Sequence, residues 1–297
     1  MKNLAIIGIG YWGKNIIREM SKFARISYAY SKGNPSNKEW LCVNYPKIKW
    51  TNNLDSILID PTVDAVIVCS PIQTHFSITL NALKNGKHVF VEKPLSPNSK
   101  KSKKLSDLAQ QKNLNLFVGH IFLFNQVLKK IKELTKNDTI QKIYFDWRKL
   151  GTFDDDIYQN LLTHDLSIVF ELLGKPLNVK IIQNHGIITR LDIISVDLKF
   201  SKNKFCNIYI NRISNYKKKT VTILTKKNLF LWDDDVLHKF NKKKNEFQEI
   251  YNSNETSLYL ECKEFISNIS KKSITNDSSL LAIEINKIIE KIERIRK

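Results

Sequence analysis

Three glycines near the amino terminus have the spacing of a phosphate-binding turn. Gly8, Gly10 and Gly13 form a G-x-G-x-x-G pattern that follows the apolar run at residues 4–7. Such a run is typical of a buried parallel strand, and residues 14–23 have the apolar spacing of a helix. The first glycine permits a tight turn, the second a close approach to a pyrophosphate, and the third close packing of helix on strand. In this context the pattern predicts a dinucleotide site, although the same spacing also arises by chance.

A lysine that follows a predicted strand is the first candidate for proton transfer. Lys93 stands between Glu92 and Pro94, directly after the strand-like run at residues 87–91. Ligands of open α/β sheets bind outside the carboxyl ends of the strands. An amine close to a positively charged cofactor ring can have a lowered pKa and exchange protons near neutrality. The alternative is an ordinary solvated Lys-Pro turn.

Alternating elements predict how these residues are positioned. Strand-like runs at residues 4–7, 24–30, 64–69, 87–91 and 114–118 alternate with helical segments. This order predicts an α/β Rossmann domain over residues 1–120, with a doubly wound parallel sheet. Ser31 and Lys32 follow the second strand, where NAD-binding versions of the fold carry an acidic residue. A hydroxyl and a cation suit a ribose phosphate, so NADP(H) is favoured slightly over NAD(H). Alternatively, both residues simply begin a solvated loop.

The pattern changes after residue 120. A helix at residues 126–135, a strand at 141–150 and a helix at 158–173 precede several strand-like runs between residues 179 and 232. These runs predict a second domain, residues 121–297, of α+β class with an open antiparallel sheet. Residues 242–254 are predicted to form a hairpin or a loop. Two helices, at residues 256–269 and 279–295, end the sequence.

Composition limits the classes of function. The 297 residues suffice for two domains, and no apolar stretch reaches the length of a membrane span. No signal peptide is recognised, and the four cysteines are scattered, so we expect reduced thiols in the cytoplasm and no disulfide framework. The net charge of +19 comes from lysines spread along the chain. We interpret them as solvated, with no nucleic-acid partner, although a positive field also favours an anionic substrate.

Five strings together resemble one enzyme family. They are the glycine turn Gly8–Asn15, the segments Cys69–His75, Gly86–Leu95 and Val118–Asn125, and the helix segment Leu162–Ile168. They are similar to the Gfo/Idh/MocA family of NAD(P)-dependent sugar oxidoreductases. The turn, the Gly-His-x-Phe-x-x-Asn segment and the string Arg148–Gly151 are closest to its branch of UDP-N-acetylglucosamine and UDP-N-acetylglucosaminuronate 3-dehydrogenases. The matching strings extend to about residue 174.

The resemblance implies a function and a set of site residues. The expected reaction is hydride transfer between NAD(P) and a sugar, with a nucleotide-linked sugar of surface-polysaccharide biosynthesis as the expected substrate and Lys93 and His164 as the acid–base pair. The family's pairing mode implies a homodimer or homotetramer. The residues expected at the cofactor are Gly8, Gly10, Tyr11, Trp12, Gly13, Ser31, Lys32, Ser70, Pro71, His75, Glu92, Lys93 and Asn125. Those expected at the substrate are Lys93, Arg148, Asn160 and His164. His120 is expected to shape the cofactor site.

Some features favour other interpretations. The family often places an aspartate four residues before its histidine, but this chain has Asn160 there, so an Asp-His relay in that form is excluded. Asn160 therefore favours the alternative of a non-catalytic dinucleotide-binding sensor or scaffold. His164 alone fits a structural histidine, and Arg148 fits a surface strand residue. Asp154–Asp156 lack regularly spaced partners, so we expect a solvated loop and no metal site.

Overall fold

The first unit of the protein is built on a six-stranded parallel sheet. The computed structural model describes residues 1–151, 153, 156–271 and 276–296 and separates into two units. The first comprises Met1–His120 and Leu258–Asn286. Its strands, in the order β3-β2-β1-β4-β5-β6, are β1 Asn3–Ile7, β2 Arg25–Tyr30, β3 Lys49–Thr51, β4 Ala65–Val68, β5 His88–Glu92 and β6 Leu116–Gly119. This confirms the predicted doubly wound sheet, which reverses strand order between β1 and β4.

Helices on both faces bury the central strands. They are α1 Tyr11–Met20, α2 Pro35–Asn44, α3 Leu54–Leu58, α4 Ile72–Lys84 and α5 Ser99–Gln111. All four residues of β4 are fully buried, as the continuous apolar run Ala-Val-Ile-Val predicts for a strand covered on both faces. The short edge strand β3 was not predicted, because only three residues form it and none of them is buried.

Asparagine side chains cap the amino-terminal ends of three of these helices. Asn34, Asn53 and Asn98 each accept a backbone N–H from the first turn of α2, α3 and α5, respectively. Such caps satisfy donors that the helix itself leaves without partners. They fix where each helix leaves its loop.

The carboxyl-terminal helices return to the first unit. These are α8 Ser257–Asn268 and α9 Asp277–Arg296, of which the stretch 258–286 belongs to this unit. The Phe265 ring of α8 packs against Phe90 of β5 and Phe117 of β6, with ring centres 5.6 and 5.7 Å apart. The sequence had assigned this stretch to the second domain. The difference arises because α8 buries its apolar face on the parallel sheet.

The second unit comprises Ile121–Ser257 and Lys287–Lys297 and contains an eight-stranded mixed sheet. Its strands, in the order β14-β13-β12-β11-β7-β10-β9-β8, are β7 Ile140–Arg148, β8 Asn178–His185, β9 Ile193–Lys199, β10 Phe205–Asn211, β11 Lys218–Thr225, β12 Leu229–Asp233, β13 Val236–Asn241 and β14 Glu246–Asn252. Residues 242–254 therefore do belong to a hairpin. One pair departs from the antiparallel expectation, because β7 inserts between β10 and β11 and runs parallel to β10.

Two helices of this unit carry candidate site residues at their amino-terminal ends. They are α6 Gln126–Thr135 and α7 Thr163–Leu173, and α7 is preceded by a π-helical turn at Tyr158–Leu162. The sequence predicted one continuous helix over residues 158–173. Gly174 ends α7 with a positive φ of 77°, as predicted for a glycine at this position.

Candidate active site

The glycine turn has the geometry required for close contact with a pyrophosphate. Gly8 follows β1 with a φ of +105°, and a Cβ atom there would lie 2.6 Å from the Cys69 carbonyl oxygen. A Cβ atom at Gly13 would overlap the carbonyl oxygen of Gly8. At Gly10, in contrast, a Cβ atom would meet no protein atom within 4 Å. The packing of the protein itself thus requires glycine at positions 8 and 13. At position 10 the protein leaves the space beside the backbone open.

The start of α1 fits an anion. Gly10 is the N-cap residue and has no side chain to cap the helix, and the first turn contains no acidic residue. The backbone N–H groups of this turn therefore face a region that suits a phosphate. Tyr11 is largely exposed, Trp12 is half-buried, and the residues present fit a dinucleotide.

Histidine 75 joins two strand ends at the carboxyl edge of the parallel sheet. Its Nδ1 lies 2.8 Å from the Pro94 carbonyl oxygen and its Nε2 lies 2.8 Å from that of Ser70. Burial lowers the pKa of this imidazole. The Ser70 hydroxyl lies 2.7 Å from that of Thr74, across the turn that contains Pro71. His75 thus fixes the loops that follow β4 and β5.

Lysine 93 lies at the same edge, next to a carboxylate that is tied to the glycine turn. It follows β5 directly, is half-buried, and is joined to Pro94 by a cis peptide bond. The Trp12 indole N–H donates a hydrogen bond to Oε1 of Glu92. A Cβ atom at Gly119 would lie 3.1 Å from the same oxygen, so that glycine leaves room for the carboxylate. One hydrogen bond therefore connects the predicted dinucleotide turn to the residue before Lys93.

A second carboxylate lies behind Glu92. Phe90 and Glu92 point to the same face of β5, and Phe265 and Glu261 share one face of α8. Because Phe90 packs on Phe265, this periodicity brings Glu261 towards Glu92. Glu261 is fully buried, and its carboxylate oxygens have no hydrogen-bond partner among the described residues. Burial and the Glu92 charge raise the pKa of Glu261 well above its usual range.

This environment makes the charge of Glu92 dependent on pH. Burial raises the pKa of Glu92 from 4.5 to about 7, against the opposing effects of the Trp12 hydrogen bond and the Lys93 charge. Because the folded protein binds this proton more tightly than the unfolded chain, the carboxyl group stabilises the fold below pH 4.5. That contribution is lost as the pH rises through about 7.

We therefore expect Glu92→Gln to change how stability depends on pH. Glutamine keeps an oxygen that can accept the Trp12 hydrogen bond but has no proton to lose. Between pH 5 and pH 8, wild type should lose stability relative to the variant, on the order of 2 kcal/mol. Urea unfolding of both proteins across this range measures the difference. Parallel stability curves for the two proteins would contradict the raised pKa.

Histidine 120 follows β6 in the same unit. Its side chain is almost fully buried, and both ring nitrogens have no hydrogen-bond partner among the described residues. Burial lowers the pKa of His120 to about 4, and the Lys93 charge acts in the same direction. The imidazole is therefore neutral near pH 7 and has one donor and one acceptor available.

The end of β2 presents a hydroxyl group and cations. The Ser31 hydroxyl is buried and accepts a hydrogen bond of 3.0 Å from the Trp50 indole. The Lys38 ammonium lies 4.4 Å from the centre of the Trp50 ring, and the Lys32 side chain is exposed. This strand end therefore carries positive charge at the place where NAD-binding versions of the fold have an acidic residue that binds the ribose hydroxyls.

In the second unit, His164 lies at the start of α7 among aromatic rings. Its imidazole meets the Phe122 ring edge-to-face, with ring centres 5.0 Å apart. Phe122 also contacts the Lys219 ammonium, which lies 3.4 Å from its ring centre. Lys219 was not predicted as a site residue. The sequence offered no motif around it, although its position opposite Trp147 follows from strand pairing.

Asparagine 160 and Asn125 lie at the amino-terminal ends of α7 and α6, respectively. Asn160 lies in the π-helical turn before α7 and is half-buried. Asn125 caps α6: its Oδ1 accepts the Val127 N–H at 2.8 Å, and its amide donates to Asp235 at 3.2 Å. The side chain of Asn125 is thus engaged within its own unit, and its place at the cofactor stays a prediction.

Arginine 148 is not brought to the same face as His164. Along β7, Phe145 and Trp147 point to the face that contacts Phe122 and Lys219, so Arg148 points to the opposite face. There its Nε donates to Asp146 at 2.7 Å, and its guanidinium lies between Tyr209 and Tyr216. Arg148 thus contacts Asp146 and two tyrosine rings at the surface of the sheet, and its contact with the substrate stays a prediction.

The described residues form neither a metal-binding cluster nor a membrane-spanning helix. This part of the chain contains no group of three or more metal-ligating side chains that could hold an ion. The predicted loop of Asp154 and Asp155 lies outside the described residues. No described helix combines the length and apolar character needed to cross a bilayer.

Comparison with known proteins identifies the first unit. Residues 2–120 match the sequence model of the Gfo/Idh/MocA oxidoreductase family, an NAD-binding Rossmann fold. This part of the chain therefore matches the dinucleotide-binding domain of that family, as the sequence motifs predicted.

Relatives extend the match into the second unit. A 2,7-anhydro-N-acetylneuraminate hydratase of Escherichia coli is 25% identical over 75% of this chain and 65% of its own length. A UDP-N-acetylglucosamine 3-dehydrogenase of Acidithiobacillus ferrooxidans is 23% identical over 70% of this chain and 66% of its own length. The chain thus spans slightly less than two thirds of these relatives.

Solved structures share the fold over nearly the whole chain. The structure of the Acidithiobacillus ferrooxidans dehydrogenase superposes with a TM-score of 0.87 at 17% identity, covering 97% of this chain and 95% of that one. A levoglucosan dehydrogenase, solved with NADH and levoglucosan, gives a TM-score of 0.86 at 16% identity and covers 99% and 96%. At these identities the likeness establishes the architecture only.

Proposed function

We propose that this protein transfers a hydride between NAD(P) and a sugar. The reaction interconverts a hydroxyl group and a ketone at one carbon of that sugar. The hydrogen bond from Trp12 to Glu92 is the observation that carries this proposal. It connects the dinucleotide turn to the residue that precedes Lys93, so the amine lies beside the cofactor that the turn would hold. A bound NAD(P)⁺ supplies the hydride acceptor.

In this proposal the protein's residues handle the proton. Lys93, as the neutral amine, accepts the proton of the sugar hydroxyl while the hydride leaves the same carbon, and it returns that proton when the ketone is reduced. The role of Lys93 follows from its place after β5, at the edge where ligands of such sheets bind. His164 is the second member of the acid–base pair in this proposal, as the family resemblance implies. Asp165 does not replace the missing aspartate at position 160, because adjacent residues of a helix do not face each other.

His120 supports the same site. Its buried nitrogens provide one donor and one acceptor beside Lys93, which suits the carboxamide or ribose of a nicotinamide nucleotide. A neutral imidazole also avoids repelling a positively charged nicotinamide ring. We therefore add His120 to the cofactor-contacting residues Gly8, Gly10, Trp12, Gly13, Ser70 and His75.

The finer parts of the proposal concern substrate, assembly and location. We propose a nucleotide-linked sugar of surface-polysaccharide biosynthesis, supported by the name of the Acidithiobacillus relative. We propose a homodimer or homotetramer formed through the face of the mixed sheet that carries Tyr144 and Arg148. The four cysteines are free thiols, which supports a location in the reducing cytoplasm.

A panel of sugars tests the proposed reaction. NADP⁺ and NAD⁺ are offered with UDP-, GDP- and dTDP-sugars and with the free sugars, and nicotinamide reduction is followed by absorbance. We expect reduction with at least one sugar. Cofactor binding without reduction of NAD(P)⁺ by any sugar would favour the sensor or scaffold, and conversion of a sugar without net reduction would favour a hydratase-like activity.

The cofactor preference depends on Lys32. We propose that NADP(H) is preferred, because Lys32 and Lys38 place positive charge where a 2′-phosphate would lie. Lys32→Glu should weaken NADPH binding roughly tenfold or more and strengthen NADH binding, since a carboxylate accepts hydrogen bonds from the ribose hydroxyls. Fluorescence titration measures both affinities. Lys104→Glu, an equal charge change on an exposed residue of α5, is the control and should leave the preference unchanged. An unchanged preference in Lys32→Glu would contradict the assignment.

A further inference from the structure

A cavity of about 410 Å³ lies at one end of the mixed sheet, within the second unit. It is lined by residues 227–228 of the turn between β11 and β12, by residues 239–243 of β13 and the turn after it, and by residues 248 and 250 of β14. The two turns are neighbours because β12 pairs with β13, with Phe230 opposite Lys239. Small-molecule sites have volumes of roughly 300–1,000 Å³, so this cavity is large enough to hold a ligand.

The course of β11 separates this cavity from the residues around His164. Lys219, near the start of β11, contacts the Phe122 ring, and that ring contacts His164. The strand then continues to Thr225, whose N–H donates to the Asn228 carbonyl oxygen across the turn at the cavity. Six residues of extended strand span about 20 Å. The cavity is therefore not part of the His164 group and serves no step of the proposed function.

Lysines dominate the charge of the cavity. Those that line it are Lys227, Lys239, Lys242 and Lys243, and none of the described residues that line it is acidic. The buried carboxylate of Asp138 interacts with the charge of Lys227, but it already accepts hydrogen bonds from Thr225 and Asn228. The other three lysines form no ion pair with a described residue. Like charges around one cavity repel each other, which favours binding of an anion between them.

Hydrogen bonds fix the wall that carries two of these lysines. The Asn241 Oδ1 accepts the backbone N–H groups of Lys243 and Lys244, at 3.0 and 3.2 Å, and so holds the turn after β13. The Asn241 amide donates to Gln248 Oε1 at 2.9 Å, and the Gln248 amide donates to Glu246 at 2.8 Å. The lysines of this turn thus stand on a backbone whose conformation is already set, which lowers the cost of binding a ligand.

The cavity also offers apolar surface. Phe240 and Ile250 are among its lining residues, and the Phe240 ring packs against Phe247 with ring centres 5.3 Å apart. An aromatic ring that is held in this way packs favourably against a flat ring of a ligand. Positive charge next to apolar surface suits a molecule with phosphate groups at one end and a ring at the other.

We propose that this cavity binds a nucleoside diphosphate, at a site that shares no residue with those proposed for the cofactor and the sugar. A phosphate ester carries about 1.5 to 2 negative charges at pH 7, so a diphosphate is the better match for the three lysines that form no ion pair with a described residue. Lysine binds phosphate as a point charge and requires no fixed fork geometry. Phe240 and Ile250 contact the base. The inference does not depend on the proposed function.

Calorimetric titration of the full chain with GDP, UDP and ADP tests this inference. At least one of them should bind at micromolar concentrations, and at least threefold more tightly, by rough estimate, than pyrophosphate or its own nucleoside. Lys239→Met/Lys242→Met should weaken that binding roughly tenfold or more, and added salt should weaken it in wild type. Lys242→Glu changes only an exposed residue and should also weaken it. Hydrogen exchange should show protection of residues 227–228 and 239–243 by the nucleotide.

Lys180→Met/Lys199→Met is the matched control. It removes the same charge from exposed positions of β8 and β9, at the edge of the sheet opposite β14, and should bind the nucleotide as wild type does. Equal weakening in the two double variants, or protection confined to residues outside the cavity, would overturn the site. Pyrophosphate that binds as tightly as every nucleoside diphosphate would overturn the role of the ring. Binding of an RNA oligonucleotide without binding of any nucleoside diphosphate would overturn the proposed ligand. Failure to oxidise any sugar would contradict the proposed function and leave this inference unaffected.

Discussion

Lys93→Met should lower the rate of hydride transfer roughly 10³-fold while NAD(P)H still binds. The amine is the proposed acceptor of the hydroxyl proton, and loss of a general acid–base group typically costs 10²- to 10⁴-fold in rate. Methionine retains much of the side-chain volume, so the end of β5 and the Trp12–Glu92 hydrogen bond should persist. Single-turnover measurements with saturating cofactor separate this effect from binding.

Lys93→Arg separates proton transfer from a purely electrostatic role. Arginine keeps the positive charge but does not lose its proton at accessible pH. If Lys93 exchanges a proton, the arginine variant should be about as slow as the methionine variant. Activity near that of wild type in Lys93→Arg would show that only the charge matters and would contradict the proton-transfer role.

Gly13→Ala and Gly10→Ala should have opposite consequences for stability and binding. A Cβ atom at Gly13 overlaps the Gly8 carbonyl oxygen, which belongs to the rigid backbone. We therefore expect Gly13→Ala to lower the free energy of unfolding by about 3 kcal/mol or more. Gly10 has a φ of −72° and a ψ of −171°, which alanine adopts without strain, and its Cβ would meet no protein atom within 4 Å.

Gly10→Ala should thus unfold at nearly the same urea concentration as wild type. Its methyl group would nevertheless occupy the space that a pyrophosphate needs beside the start of α1, so NAD(P)H affinity should fall at least tenfold, by rough estimate. Urea unfolding and fluorescence titration of both variants measure the two properties. A Gly10→Ala variant that binds NAD(P)H as tightly as wild type would contradict the assignment of this turn to the dinucleotide.

Local sequence patterns were sufficient to predict the parallel sheet. The apolar runs of β1, β4 and β5 are continuous because helices cover both faces of these strands, and the glycines stand where the first strand meets the first helix. Lys93 could be placed for the same reason, since it follows the end of a recognisable strand.

Contacts between residues far apart in the chain could not be predicted from local sequence patterns. Trp12 and Glu92 are 80 positions apart, and their hydrogen bond depends on how the first turn meets the end of β5. Glu261 reaches the same region because α8 packs on the parallel sheet. No residue close to Glu261 in the sequence predicts that packing. The mixed sheet has one parallel pair for a similar reason, since β7 pairs with strands that come much later in the chain.

The face of β7 to which each side chain points could be predicted from the sequence. Side chains alternate along a strand, so Trp147 and Arg148 must point to opposite faces, and the apolar residues Ile143 and Phe145 mark the face of Trp147 as the covered one. This alternation alone argues against placing Arg148 with a histidine on the covered face. Lys219 required the register between β7 and β11, which the sequence does not provide.

Titration of wild type with NADPH and NADH, followed by nicotinamide fluorescence, tests the central claim most directly. The account predicts saturable binding at micromolar concentrations, with NADPH bound more tightly, and loss of that binding in the folded Gly10→Ala variant. Tighter binding of NADH would contradict the role of Lys32 and leave the dinucleotide site in place. Failure of both nucleotides to bind at micromolar concentrations, with none co-purified, would contradict the oxidoreductase itself.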